Sequence, residues 1–209
     1  MANTNPHDAL FKATMSHPSE VEALVRGFLP AIISENLDFT TLQMENTAYI
    51  SADLRDYFSD VSYSCHWKGD ADKPPAQITL LLEHKSYLPD NIYLQLLRYI
   101  TESYQYQYRS GEKLLRLVLP VVVYHGDQAW NVRDFADHFD LPHPDLKRYI
   151  PFFSYELLDL SQVSEQTLFH LEYGFMLRST LLLYKYRSDK DSFLCFVGKI
   201  FNFANESNS

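Results

Sequence analysis

Glycine is scarce in this chain, with six residues in 209, which excludes a glycine-rich phosphate loop and any architecture built on repeated tight turns. Cysteine is scarcer still. Cys65 and Cys195 lie far apart in sequence, so no disulfide framework and no C-x-x-C metal pair is expected. The eight histidines never fall in an H-x-x-x-H spacing, and Cys65–His66 is an adjacent pair whose side chains would face oppositely in a strand; a zinc site is not expected. No apolar run approaches the roughly 20 residues of a membrane-spanning helix. The longest, Leu114 to Tyr124, is interrupted by Arg116 and Pro120 and reads as a buried strand. The start, MANTNPHDALFK, lacks the basic-then-apolar pattern of a signal peptide, so a cytoplasmic location is expected. Positive charge is also short: 18 Lys and Arg against 27 Asp and Glu, a net charge of −9. That disfavours a protein that coats nucleic acid nonspecifically. It leaves open an enzyme that meets DNA at one place, because metal-holding carboxylates count as negative while the bound cation inverts the local field.

What is present is core material. Hydrophobic residues make up 46% of the chain and aromatics 15%, enough for one well-packed domain and too much for a disordered chain. Ala9, Leu10, Ala13 and Thr14 suggest a first helix, and Pro18 opens a second with the apolar stripe Val21, Leu24, Val25, Phe28. A short strand is expected from Leu42 to Ile50. YFSDVSYSCHW (57–67) and AQITLLLEH read as two strands joined by the polar KGDADKPP. Pro89–Asp90 opens a helix to about Arg109, and LLRLVLPVVVYHG fits a central strand covered on both faces. FFSYELLDL is a further strand. Ser164 to Gln166 cap a long helix from Thr167 to Arg187, and a last helix spans about Asp191 to Ala204. The order is αβββαβ with a helical C-terminal end: an α/β protein.

The chemistry gathers at Glu83-His84-Lys85. In a strand Glu83 and Lys85 share one face and His84 takes the other. The apolar run Ile78 to Leu82 puts the charged pair at the strand's end, and Asp60 lies on the partner strand. Two carboxylates and a lysine at one strand edge suit metal-assisted phosphodiester hydrolysis. Asp60 and Glu83 offer hard oxygen ligands for Mg2+, with Mn2+ or Ca2+ as substitutes, and the His84 backbone carbonyl can add a third. The metal activates a water, and Lys85 orients that water or offsets the growing negative charge.

The spacing D-x(n)-E-x-K resembles the PD-(D/E)xK nuclease superfamily. Gln95-Leu96-Leu97-Arg98-Tyr99 is similar to the Q-h-x-x-Y motif of its exonuclease-like branch, which implies a supporting role for Gln95 beside the metal. HDALFK (7–12), FLP (28–30), LRDYFSD (54–60), LLEHKS (81–86), LLRY (96–99), LP with VVVYHG (119–126) and Trp130 together resemble the recombination-promoting nuclease family, also described as transposase-like. The resemblance implies a restriction-endonuclease-like αβββαβ core, a mixed sheet flanked by helices, over residues 5–165, followed by a helical segment over 166–209. It also implies a Mg2+-dependent DNA endonuclease linked to recombination or mobile elements. The partners expected are DNA and, in a homo-oligomer, further copies of the chain, with no membrane. Many members carry glutamine where this chain has Lys85, so this sequence stands closer to the superfamily's standard pattern. A fourth acidic ligand is expected from the first helices, with Glu22 and Glu35 as candidates.

Each of these readings has a blander counterpart. Glu83 and Lys85 could be a solvated ion pair worth under about 1 kcal/mol. Gln95 could be an ordinary surface residue, and the tyrosines of YQYQY (104–108) packing rather than base-stacking groups. The alternative function is a catalytically silent nuclease-fold interaction protein of a mobile-element or defence system.

Overall fold

The computed structural model describes residues 6–45, 61–69, 77–89, 91–132, 134–169, 174–187, 189 and 194. Asp60, Cys195 and, apart from Leu194, the expected last helix lie outside the described residues. Three helices open the chain: α1 (Pro6–Met15), α2 (Pro18–Phe28) and the single turn α3 (Ala31–Ser34). Strands β1 (Leu37–Met44), β2 (Val61–Trp67) and β3 (Gln77–Lys85) follow, then helix α4 (Ile92–Arg109) and β4 (Leu117–Tyr124). Two short 3-10 turns at Phe135–His138 and Pro144–Tyr149 lead to β5 (Glu156–Asp159), α5 (Glu165–Phe169) and α6 (Phe175–Lys185).

Among the described residues the strands form one mixed sheet in the order β1-β2-β3-β4-β5. β1, β2 and β3 run antiparallel in turn, whereas β3, β4 and β5 are parallel. A parallel neighbour requires a crossover, and α4 supplies it between β3 and β4. Strand periodicity then sorts the side chains. Leu80 and Leu82 of β3, with Val121 and Val123 of β4, face a core built with Phe11, Met15, Val21 and Leu24 and with Leu177 and Leu181 of α6. Val118 and Val122 face the opposite layer, where Ile92, Tyr93, Leu96 and Tyr99 of α4 cover them. The buried run Val121-Val122-Val123 is apolar on successive positions because β4 is covered on both faces.

The αβββαβ order and the α/β class expected from the sequence are present. Three local expectations are corrected. β1 begins at Leu37 rather than Leu42, with an irregular register between Asp38 and Gln43 where Asp38 accepts from Thr40. Leu114 and Leu115 stay outside β4 and are exposed. The long helix from Thr167 to Arg187 is two helices. Ser164 does cap the first, its Oγ accepting from Thr167 N–H at 3.0 Å. The second starts after Gly174, whose φ of +49° no helix interior adopts. A Cβ at Gly174 would run into the carboxylate of Glu20, and that carboxylate accepts from the Leu177 N–H at 2.8 Å. Glu20 of α2 thus satisfies one of the free donors at the start of α6, a contact between distant chain segments that local periodicity does not carry.

Candidate functional site

The end of β3 carries the site because the apolar run stops there while the strand continues. Leu82 pairs with Val61 on β2, and Glu83, His84 and Lys85 pair with Val122, Val123 and Tyr124 on β4. Both Glu83 and Lys85 are buried, at 1% and 5% exposure, and Lys85 Nζ lies 2.5 Å from Glu83 Oε1. This overturns the solvated-pair reading: a buried carboxylate and ammonium each carry a desolvation cost that only mutual attraction and hydrogen bonds offset. Burial, opposed by Lys85, pushes the Glu83 carboxyl up to about 7. Its second oxygen, Oε2, is buried and accepts from no donor among the described residues. An acceptor-only oxygen left that way in a dry site costs free energy unless a cation or a proton reaches it.

The other residues singled out by the sequence are placed as follows. Gln95 sits in the first turns of α4, half-buried, with Nε2 donating to Asn91 Oδ1 at 3.3 Å and a buried Oε1 that accepts from no donor among the described residues. Asp60 lies outside the described residues, one position before Val61. Glu22 is committed elsewhere, paired with Arg26 at 2.7 Å on the exposed face of α2, and Glu35 is exposed at the end of α3. The N-terminal charges that act on Glu83 are Asp8 and Lys12 of α1. Nothing in the sequence singles out Asp8 as a site neighbour, although HDALFK sets it four residues before Lys12 on one helix face. Among the described residues no group of three or more His, Cys, Asp or Glu side chains converges as a metal cage. A cavity of about 350 Å3 is lined by Leu88, Pro89, Tyr93, Trp130, His138 and Tyr155; neither Glu83 nor Lys85 lines it.

His84 faces away from the pair and meets His125, the first residue after β4. The rings stack at 4.5 Å between centroids, with Nε2 to Nε2 at 2.5 Å. Phe11 stacks on His84 and Tyr184 on His125. Burial lowers His84 to about 4 against the pull of Asp8, and burial together with the charges of His84 and Arg187 lowers His125 to about 2. Spacing alone gave no sign of this pair, because the two histidines are brought together only by the parallel register of β3 and β4.

Among the described residues no helix is long and apolar enough to cross a membrane. No solved structure matches the chain. Residues 5–208 match the family described as "Putative transposase, YhgA-like". Recombination-promoting nuclease RpnA of Escherichia coli (strain K12) is 33% identical over 127 residues, covering 61% of this chain and 42% of that protein. Recombination-promoting nuclease RpnC of the same organism is 27% identical over 125 residues, covering 60% and 40%. A third relative, the inactive recombination-promoting nuclease-like protein RpnE of that strain, is 29% identical over 165 residues, covering 78% and 53%. The chain spans about half the length of these relatives, or less. With its full α/β core matched and curated nucleases among its relatives, this chain belongs to the YhgA-like transposase family.

Proposed function

We propose that this protein is a Mg2+-dependent DNA endonuclease of the PD-(D/E)xK type, acting in the cytoplasm in recombination or mobile-element transfer. The observation that carries this reading is the buried Glu83–Lys85 pair at the end of β3, with Glu83 Oε2 accepting from no donor among the described residues. A buried carboxylate oxygen that no described donor reaches fits a hard divalent cation. Asp60 and Glu83 would hold it, with the His84 carbonyl as a third oxygen. Asp60 adjoins Val61, and Val61 is the partner of Leu82, the neighbour of Glu83. When bound, the cation supplies Lewis acidity at the phosphate and a nucleophilic water at neutral pH.

The protein's own groups divide the remaining work. Glu83 gives up its proton on binding, which its value near 7 makes inexpensive at physiological pH. Lys85, paired with Glu83 in the metal-free protein, would donate toward the attacking water or the phosphate oxygen. Gln95 of α4, whose Oε1 accepts from no donor among the described residues, would support the loaded site. Burial strengthens each of these interactions because water does not screen them. DNA is the substrate class; the names of two relatives, recombination-promoting nucleases, support it.

Purified protein is expected to nick supercoiled plasmid with Mg2+ or Mn2+ and not with chelator, and Asp60→Ala and Glu83→Ala are expected to be inert. Cutting by Asp60→Ala at the wild-type rate would sink the reading. A second reading, a silent nuclease-fold interaction protein, draws on the relative named inactive. Calorimetric Mn2+ binding that disappears in Glu83→Ala counts against it.

A further inference from the structure

Three sequence runs that the proposed chemistry leaves largely unused meet on the side of β3 opposite Glu83 and Lys85: HDALFK, the histidine of EHK, and YHG. They form a continuous chain of polar contacts. Asp8 Oδ1 is 3.3 Å from His84 Nδ1, His84 Nε2 is 2.5 Å from His125 Nε2, and His125 Nδ1 is 2.8 Å from Arg187 Nη1. The two ends fix its direction, because a guanidinium can only donate and a carboxylate can only accept. Arg187 donates, so His125 Nδ1 accepts and the His125 proton sits on Nε2. That proton is donated to His84 Nε2, which leaves the His84 proton on Nδ1, aimed at Asp8. The assignment follows from the partners, and a second proton on either ring would set N–H against N–H. The rings are buried, while the Asp8 and Arg187 side chains are 32% and 20% exposed. Arg187 also donates to the Ser86 carbonyl at 3.3 Å, just past the end of β3.

We propose that Asp8, His84, His125 and Arg187 are positioning residues for the candidate metal site. Their chain clamps the last residues of β3 between α1 and the segment that follows α6. It therefore fixes the backbone that presents the Glu83 carboxylate, the His84 carbonyl and Lys85. Docking of α1 and cation affinity become parts of one equilibrium, since Asp8 and Phe11 hold His84 only while α1 is packed. The inference rests on the reading of Glu83 as a metal ligand.

The test uses the full chain and Mn2+ alone, followed by calorimetry. His125→Phe keeps a ring against Tyr184 and removes both hydrogen bonds, whereas His125→Gln keeps an amide donor toward His84. His125→Phe is expected to weaken Mn2+ binding by about 10- to 100-fold, the usual effect of losing a group that orients a ligand, and His125→Gln to recover most of the loss. Arg187→Leu, at the partly exposed end, is expected to weaken binding by about tenfold and serves if His125→Phe does not fold. Amide hydrogen exchange at residues 83–85, read without metal, is expected to accelerate in His125→Phe and recover in His125→Gln. Folded His125→Phe or Arg187→Leu protein with wild-type Mn2+ affinity overturns the proposal. If the wild type binds no Mn2+, the metal reading fails by itself; unchanged exchange at residues 83–85 then overturns the clamp as well, and accelerated exchange upholds it.

Discussion

Replacing Glu83 with Gln in metal-free protein isolates the cost of ionising that carboxyl in a dry site. Glu83 is 1% exposed, and burial outweighs the Lys85 charge to raise it from 4.5 to about 7. Between those two values the unfolded chain has released the proton while the native state keeps it. The native state then binds more protons, so Glu83's contribution to stability is full below 4.5 and is lost as pH rises through about 7. A displacement of about 2.5 pH units, at about 1.4 kcal/mol each, makes that loss on the order of 3 kcal/mol. The wild-type profile alone would hide it. His84 and His125 are held below their ordinary 6.5, so their contribution runs the other way, rising with pH toward 6.5 and disappearing in acid. Subtracting the wild-type curve from that of Glu83→Gln removes the shared histidine terms. It leaves a roughly constant penalty for Lys85, now buried without its carboxylate, plus the Glu83 term. Urea unfolding in chelator, repeated across pH 4.5 to 7, is therefore expected to show the variant gaining about 3 kcal/mol on the wild type. A difference that stays flat across that range would refute the claim that burial, rather than the Lys85 charge, governs Glu83.

Lys85→Gln is expected to lower Mg2+-dependent plasmid nicking by about 100- to 1000-fold; because Lys85 is what lowers Glu83, Mn2+ binding followed by calorimetry should then require a higher pH. Gly174→Ala is expected to destabilise the fold by roughly 2 kcal/mol in thermal melts, since it forces a positive φ on alanine and drives a Cβ into the Glu20 carboxylate that caps α6. Leu82→Ala, at a fully buried position beside the site, is expected to cost about 2 to 5 kcal/mol in urea unfolding. Tyr63→Phe should cost only about 1 kcal/mol, the worth of its hydrogen bond to the Met15 carbonyl.

Much of the fold was legible because its signals are local. The apolar stripe of α2, the alternation through Tyr63 and Cys65, and the unbroken Val121-Val122-Val123 each report burial through residues a few positions apart. The same holds for the placement of Glu83 and Lys85 at a strand end, which needs only a period of two and the end of an apolar run. The single long C-terminal helix was misread because Gly174 is required by Glu20, a residue on α2. The start of β1 was misread because Leu37 pairs with Trp67, across a register that only the assembled sheet defines.

By itself, then, the sequence determined the α/β order, the two-faced burial of β4, and the residues that stand together at the end of β3. Only the tertiary structure decided that Glu83 and Lys85 are buried rather than solvated, which turns a marginal surface pair into a perturbed carboxyl near 7. It alone brought Asp8, His84, His125 and Arg187 into one chain. The physical reason is common to both: burial and hydrogen-bond direction depend on what packs from other elements, and no spacing along one element encodes them.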